Sequence, residues 1–378
     1  MEPTTNPRNT NGVKITYTVF GNLAFRGRLL RQVATLQAAG FDCRVVFGDR
    51  GDQPFQPENF NFPVEVIPTP FKGSTTALFL RQLRFGYLAS QRIARSDATH
   101  VVSLSLESLL AGALAKRKRP DLKLIFDSNE LHIESYINPV KKRLWAPIQS
   151  FCIPYCDAIM HAEGNRLEYF KQHHDPTDRT HFLLENFPSF VPQEKLAPQP
   201  ARPPVRVLYV GVLGLDRYTL ELVDIFRGLA PEYTLDLVGP AFPEFRQELD
   251  KELERNPAPN ITVKPAIPPA GMSHLIRNYH VGIALYKNNC LGNYYCAPNK
   301  VYDYLMNGVP VVANDYPGLR KVLEDGRLGA CIQEVDRENF RTALGRIAGE
   351  RRWDNITEEV RHRYSWEAQA PGFLALFE

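Results

Sequence analysis

Short β-rich apolar runs alternate along the chain with longer segments whose apolar residues recur at helical spacing. In the first half, the apolar runs predict strands at residues 13–20, 43–47, 100–103, 122–126 and 158–161. The segments between them predict helices at residues 28–39, 77–94, 106–115, 140–151 and 163–173. A chain that alternates strand, loop and helix in this way favours parallel sheets joined by right-handed crossovers.

The alternation stops at the proline-rich residues 189–204 and then resumes. Later strands are predicted at 205–210, 234–238, 261–263, 281–285 and 309–313, and helices at 219–229, 242–254 and 300–306. Prolines lack a backbone donor and favour extended conformations, so residues 189–204 are predicted to be a linker. A chain of 378 residues is also long for one core. We therefore predict two α/β domains, at 1–188 and 205–357.

Composition excludes several classes of function. The chain has 44% hydrophobic and 23% charged residues, as globular proteins do. With 45 basic and 42 acidic residues it is nearly balanced, and nucleic acid is not an expected partner. The six cysteines form no CxxC pair, which argues for reduced thiols and against structural zinc. The polar start and the lack of a long apolar run predict a cytoplasmic protein, at most associated with a membrane surface.

The most informative segment is APNKVYDYLMNGVPVVANDYPG, at residues 297–318. Pro298 sets the chain direction, and Asn299 is predicted to cap a short helix. Lys300 and Asp303 then lie on one face of that helix. A helix N-terminus with a lysine suits a diphosphate, and a carboxylate one turn later can accept hydrogen bonds from ribose hydroxyls. The alternative is an ordinary surface ion pair between the two side chains.

This segment resembles the donor-site helix of nucleotide-sugar glycosyltransferases that have the GT-B fold and a C-terminal "glycosyltransferases group 1" domain. Their helix commonly reads P-x-K-x-x-E-Y-x-x-x-G-x-P-V-V. The matching positions are Pro298, Lys300, Asp303, Tyr304, Gly308, Pro310, Val311 and Val312, with aspartate in place of glutamate. Many relatives carry a second glutamate eight residues earlier, where this chain has Tyr295.

The resemblance implies two Rossmann-like domains with parallel sheets that face a central cleft. It also implies that residues 358–378 cross back to complete the N-terminal domain. In the donor domain it implies that Gly211 and Gly214 form the glycine-rich loop, with Arg217 placed to meet the diphosphate. Lys264 follows another strand and is expected at the same crevice. The predicted donor-binding set is Gly211, Gly214, Arg217, Lys264, Asn299, Lys300 and Asp303.

In the first half, the helix that contains Arg28 resembles the first helix of the family's acceptor domain. On that resemblance, Gly21, Arg26 and Arg28 are the expected acceptor-binding residues.

Residues 126–134, FDSNELHIE, resemble the family's Y-D-x-H-E-L-x-P-E segment, with Asn129 in place of the histidine. An acceptor hydroxyl needs a general base at neutral pH, and a carboxylate at a strand end can serve. Glu130 is the predicted catalytic base if the enzyme inverts, with His132 and Asp127 as alternatives. The other reading of Glu130 is a helix cap or a partner for a nearby cation.

Basic and aromatic residues alternate at 71–95 and again at 140–145. Such surfaces can lie on anionic membranes, so a membrane surface is a candidate partner. The alternative is an amphipathic helix that covers a sheet.

Together these features predict a glycosyltransferase of the hexosyltransferase type. It would move a sugar from a UDP- or GDP-sugar to a saccharide or lipid-linked acceptor in polysaccharide or glycolipid biosynthesis. No cofactor or metal is expected, because Lys300 with Arg217 or Lys264 can offset the charge of the leaving diphosphate. Two alternatives stay open: a nucleotide-sugar 2-epimerase of the same fold, and a non-catalytic subunit that binds sugar nucleotides.

Overall fold

The computed structural model describes residues 12–23, 26–51, 55–70, 75–136, 138–190, 203–296 and 298–378. The chain divides into two compact units. The N-terminal unit comprises Met1–Glu185 and Ala370–Glu378, and the C-terminal unit comprises Asn186–Gln369. Of the predicted linker, residues 191–202 lie outside the described residues.

The N-terminal unit contains a seven-stranded sheet in which every pairing is parallel. Its strands are β1 (Lys14–Phe20), β2 (Asp42–Asp49), β3 (Val64–Pro68), β4 (His100–Leu104), β5 (Lys123–Ser128), β6 (Ala158–His161) and β7 (Thr180–Leu183), in the order β3-β2-β1-β4-β5-β6-β7. Its helices are α1 (Gly27–Ala38), α2 (Thr75–Ala94), α3 (Leu106–Lys118), α4 (His132–Ser135), α5 (Pro139–Cys152) and α6 (Gly164–His173).

Central strand β1 shows why this sheet forms. From Ile15 to Phe20 every side chain is buried, which is the pattern of a parallel strand covered by helices on both faces. The sheet order reverses at β1 and β4, so right-handed crossovers place α1 on one face and α2, α3 and α5 on the other. Contacts of α3 with both α2 and α5 agree with this arrangement. The carboxyl ends of β1, β4 and β5 consequently share one edge.

The C-terminal unit contains a six-stranded parallel sheet. Its strands are β8 (Val205–Val210), β9 (Tyr233–Val238), β10 (Ile261–Lys264), β11 (Val281–Ala284), β12 (Val311–Asn314) and β13 (Gly329–Ile332), in the order β10-β9-β8-β11-β12-β13. Its helices are α7 (Thr219–Arg227), α8 (Pro243–Arg255), α9 (Pro269–Ile276), α10 (Leu291–Tyr294), α11 (Asn299–Met306), α12 (Pro317–Leu323), α13 (Arg337–Gly349) and α14 (Glu358–Arg363).

Apolar clusters cover both faces of this second sheet. One cluster joins β8 and β9 to helices α7 and α13, and the other joins β8, β11 and β12 to α11 and α12. The strand order reverses between β8 and β11, and in open α/β sheets ligands bind at the carboxyl ends beside such a reversal. The predicted α/β class, with two parallel sheets, is confirmed.

The last helix, α15 (Trp366–Leu374), runs from the C-terminal unit into the N-terminal one. Within the N-terminal unit, Phe377 lies 6.2 Å from Phe41 and 5.8 Å from His100, measured between ring centroids. The end of the chain thus completes the first unit, although its share begins at Ala370 rather than at the predicted residue 358.

Within the described part of the chain, no helix combines the length and the apolar character needed to cross a bilayer.

Candidate functional site

The carboxyl edge of the C-terminal sheet holds a lysine between aromatic rings. Lys300 is the second residue of α11, and its Nζ lies 4.2 Å from the ring centroid of Tyr209 and 5.3 Å from that of Tyr286. Gly211 follows β8 with φ +137°, and a Cβ there would come 3.1 Å from the Lys300 Nζ. A glycine at this position therefore lets the ammonium approach the backbone of the loop.

The Lys300 ammonium makes no hydrogen bond or ion pair with any described residue. Burial, together with the smaller effect of the positive charge of Arg217, lowers the pKa of Lys300 to about 7. Arg217 itself stacks on Tyr286, with its Cζ 4.4 Å from the ring centroid, and pairs with the partly exposed Asp216 at 2.7 Å. Lys300 and Arg217 bring two positive charges to this edge, and Asp216 offsets only part of them, which makes the edge suitable for an anion.

Tyr304 of the same motif has a structural role. Its buried hydroxyl donates to the Leu208 carbonyl oxygen and accepts from the Val210 amide, each at 3.0 Å. These bonds tie α11 to β8, so the start of the helix, with Lys300, stays at the carboxyl edge of the sheet.

The remaining predicted residues of the motif surround the start of α11. Asn299 is exposed and is the first helical residue, while Pro298 occupies the cap position without a side-chain hydrogen bond. The prediction that Asn299 caps the helix is therefore wrong. Asp303 is partly exposed one turn after Lys300, and its carbonyl accepts a hydrogen bond from the Asn307 side chain.

Gly214 lies in the loop between β8 and α7. Its amide donates to the Thr219 Oγ1 at 2.9 Å, and that hydroxyl donates back to the Gly214 carbonyl at 3.1 Å. This pair of bonds fixes the loop that carries Arg217 in a 3-10 turn, Leu215–Arg217.

Lys264 has a different environment from Lys300. It ends β10, an edge strand separated from β8 by β9, and its ammonium pairs with Asp236. The Tyr279 hydroxyl also contacts Asp236 and lies 3.4 Å from the Lys264 Nζ. The carboxylate partner raises the pKa of Lys264. Lys264 thus takes part in a local ion pair, whereas Lys300 has no such partner among the described residues.

Sequence reasoning missed a group of tyrosines beside Lys300. The Tyr294 ring centroid lies 5.1 Å from that of Tyr295 and 5.4 Å from that of Tyr316. The Tyr316 hydroxyl donates to the Tyr286 carbonyl oxygen at 2.6 Å. The signal in the sequence is the Tyr-Tyr pair that follows a buried strand and precedes the lysine motif.

In the N-terminal unit, the carboxyl edge of the sheet holds a buried ion pair. Asp127, fully buried at the end of β5, accepts from the Nε and Nη2 of Arg28 at 2.9 Å and from the Gln32 Nε2 at 2.7 Å. Arg28 also donates through Nη1 to the Leu184 carbonyl at 2.6 Å. These bonds join β5, α1 and the segment after β7, so Arg28 and Asp127 support this edge of the sheet.

The other predicted catalytic residues lie just beyond β5. Glu130 is exposed, and its carbonyl accepts a hydrogen bond from the Ser128 hydroxyl at 3.1 Å. His132 begins α4 and is buried, with a ring centroid 6.4 Å from that of Phe126. Its Nε2 has no hydrogen-bond partner. The nearby Asn129 Oδ1 is likewise buried and unpartnered.

Gly21 and Arg26 flank the end of β1. The Gly21 amide donates to the Gly48 carbonyl at 3.1 Å, and the Arg26 Nη2 donates to the Phe20 carbonyl at 2.9 Å. Arg26 thus folds over the carboxyl end of β1, at the same edge as the Arg28–Asp127 pair.

Among the described residues, no group of three or more histidine, cysteine, aspartate or glutamate side chains could hold a metal ion.

Residues 204–350 match a protein family described as "Glycosyl transferases group 1". The matched segment lies within the C-terminal unit. It contains every predicted donor residue: Gly211, Gly214, Arg217, Lys264, Asn299, Lys300 and Asp303. No curated protein is detectably similar to the chain in sequence.

Solved structures share the fold of the matched segment and of the rest of the chain. Sucrose-phosphate synthase from Thermosynechococcus elongatus is 16% identical, with a TM-score of 0.74 over 97% of this chain and 98% of that one. The lipopolysaccharide outer core galactosyltransferase WaaB is 16% identical, with a TM-score of 0.68 over 95% and 99%. Anabaena HepE in complex with UDP-glucose is 14% identical, with a TM-score of 0.68 over 96% and 98%. The chain has the GT-B fold.

Proposed function

We propose that this protein is a glycosyltransferase that moves a sugar from a UDP- or GDP-sugar to a saccharide or lipid-linked acceptor, in polysaccharide or glycolipid biosynthesis. The observation that carries the proposal is the state of Lys300. Lys300 is the second residue of α11, at the carboxyl edge of the sheet in the segment that matches the group 1 family. Its ammonium has no anionic partner among the described residues. A bound diphosphate would supply that partner.

The donor's diphosphate would lie at the start of α11, against the Lys300 ammonium and the exposed backbone amides of the first turn. Arg217 would approach it from the loop after β8. Asp303, one turn further along α11, would accept hydrogen bonds from the ribose. HepE, which has the same fold, is described in complex with UDP-glucose. The tyrosines around Tyr294 offer flat faces on which a base or a sugar can stack.

In the proposed reaction, the acceptor oxygen bonds to the anomeric carbon while the bond from that carbon to the phosphate oxygen breaks. The hydroxyl proton passes to Glu130, and the electron pair of the broken bond leaves with the nucleoside diphosphate. Lys300 and Arg217 would stabilise the negative charge that develops on the leaving group. These cations provide the stabilisation without a metal in this scheme.

Glu130 is the proposed base because its exposed carboxylate is accessible to an acceptor hydroxyl. Asp127 suits this role poorly, since Arg28 and Gln32 already occupy its two oxygens. His132 is the second candidate, because its Nε2 carries no hydrogen bond although it is buried. On this scheme, Gly21 and Arg26 line the acceptor side of the same sheet edge, and Arg28 acts through its support of β5.

A screen of nucleotide sugars by thermal shift tests the donor, followed by calorimetry with the best compound. Lys300→Met should remove most of the donor affinity. Lys321→Met, an exposed lysine on α12 of the same unit, is the matched control and should bind normally. Unchanged affinity in the Lys300 variant would refute the assignment of the donor site.

Turnover tests the base. Glu130→Gln should lower kcat by about 10²–10⁴-fold while donor affinity is kept. If turnover stays near normal in Glu130→Gln but kcat falls in His132→Gln instead, His132 is the base.

The same assays separate the alternatives. A 2-epimerase would convert the donor without any acceptor, and transfer would yield no product. A non-catalytic subunit would bind the donor without hydrolysis, transfer or epimerisation.

A further inference from the structure

One helical layer of the N-terminal unit is strongly basic. Helices α2, α3 and α5 together contain nine lysines and arginines and a single acidic residue, Glu107. The basic residues are Arg81, Arg84, Arg92, Lys116, Arg117, Lys118, Lys141, Lys142 and Arg143. The whole chain has a net charge of only +3, so the rest of the chain is net acidic. This asymmetry marks the layer as a surface for an anionic partner.

Much of this charge is uncompensated. Arg92 pairs with Glu65, and Lys116 pairs with Asp157. The four exposed side chains Arg84, Arg117, Lys142 and Arg143 form no ion pair with any residue that the structure describes. They are available to a partner outside the chain.

Large apolar side chains are exposed on the same helices. Leu80 is 60% exposed and Tyr87 57% on α2, while Val140 is 62% exposed and Phe151 40% on α5. Leu80, Arg84 and Tyr87 follow the i, i+4, i+7 spacing of one helix face. Val140, Arg143 and Phe151 are spaced so that they also share one face.

The two exposed faces belong to one surface. Both helices cover the same side of the sheet, and the Phe79 ring of α2 meets the Trp145 ring of α5 edge-on, with centroids 5.3 Å apart. The Lys118 ammonium of α3 lies 5.7 Å from the Tyr87 ring centroid, which links the third helix to this surface. We call the exposed residues Leu80, Arg84, Tyr87, Lys118, Val140 and Arg143 the α2–α5 face.

We propose that the α2–α5 face docks the protein on an anionic lipid bilayer, with the arginines and lysines among the headgroups and Leu80 and Val140 inserted between them. The basic side chains favour an anionic partner. The exposed apolar side chains favour an anionic partner that also offers an apolar layer, which a lipid bilayer does. A nucleic acid would offer phosphates but no apolar layer for Leu80 and Val140. The face lies in the unit that does not contain the donor residues, so the proposal holds or fails independently of the donor assignment.

Sedimentation with lipid vesicles tests the proposal. The full chain should bind vesicles of phosphatidylcholine with phosphatidylglycerol, bind phosphatidylcholine alone at least tenfold more weakly, and dissociate at high salt. A chain that stays in the supernatant with both vesicle types overturns the proposal. So does binding that is equal for the two lipids.

Two variants separate the charge from the apolar contribution. Arg84→Gln/Lys118→Gln/Arg143→Gln should weaken binding by tenfold or more, since each lost charge near an anionic surface weakens binding several-fold. Leu80→Gln/Val140→Gln keeps every charge and should still weaken binding several-fold. Normal binding by either variant overturns the proposed mode of docking.

Matched controls come from the C-terminal unit. Lys251→Gln/Arg255→Gln/Lys321→Gln removes three exposed charges there, and Phe242→Gln removes a side chain that is 72% exposed. Both should bind vesicles like the parent. Donor affinity, measured by calorimetry without lipid, should be the same in every variant, which distinguishes failure of docking from failure of the proposed function.

Discussion

The two carboxyl edges of the molecule hold their charges in opposite ways. In the N-terminal unit, the Arg28 guanidinium meets the Asp127 carboxylate inside the protein, with Gln32 and the Leu184 carbonyl completing the bonds. In the C-terminal unit, the Lys300 ammonium meets the rings of Tyr209 and Tyr286, without an anion among the described residues.

Since both sheets are parallel and doubly wound, this difference comes from a few side chains and not from the fold. A pair that is complete within the chain contributes to the structure of its own edge. A cation that lacks a partner has given up part of its hydration, and it recovers favourable interactions when an anionic ligand binds. The comparison therefore favours a supporting role for Asp127 and agrees with the binding role proposed for Lys300. Substitutions at either edge test it.

The largest effect is expected from Asp127→Asn. The variant keeps the shape of the side chain but leaves the Arg28 guanidinium buried without its counter-charge. The free energy of unfolding of the N-terminal unit should fall by about 3–5 kcal/mol, measured by urea denaturation. The exposed Glu130→Gln is the matched control and should change stability little.

A second variant sharpens this result. Arg28→Met/Asp127→Leu removes both charges, and it should be more stable than Asp127→Asn because no uncompensated charge stays buried. If Asp127→Asn is as stable as the parent, the pair does not support this edge and the comparison fails.

Lys300→Met should show the reverse pattern. Donor affinity should fall by about 10–100-fold, as expected when a charged hydrogen-bond donor to phosphate is lost. The thermal unfolding midpoint of the free protein at pH 7 should stay the same or rise, because burial already disfavours the charged form of Lys300. A large loss of stability would make Lys300 a structural residue like Arg28.

The sequence was informative where an interaction is local. The strand at 205–210 and the helix at Lys300 follow from apolar periodicity and from the proline and glycine that bound the motif. The lysine and the tyrosine of the motif lie within one helix, so their spacing could be recognised without knowledge of the rest of the fold.

Pairings between distant segments could not be predicted in this way. Arg28 and Asp127 are 99 residues apart, and only the sheet order brings α1 beside β5. Lys264 ends a strand as expected, but its partner Asp236 is on the neighbouring strand, and their pairing depends on register. The rings around Lys300 come from β8 and from the loop after β11, so the sequence motif alone gave no sign of them.

The smallest effect is a dependence of donor binding on pH. In the free protein, burial and Arg217 lower the pKa of Lys300 to about 7, and a bound diphosphate should raise it again. Above pH 7, Lys300 must then take up a proton when the donor binds. Donor affinity should therefore fall by up to about tenfold per pH unit as pH rises. Calorimetry in buffers with different ionisation enthalpies measures that proton directly.

The lowered pKa of Lys300 also makes stability depend on pH, in the direction opposite to that of donor affinity. Because an unfolded lysine keeps its proton up to about pH 10.4, the unfolded state binds more protons than the free folded state above pH 7. The free energy of unfolding should therefore rise with pH in that window through this group, while donor affinity falls. Lys300→Met should remove both trends. A parent protein whose donor affinity is constant from pH 6 to pH 9 would mean that Lys300 is already paired, and the contrast between the two edges would be lost.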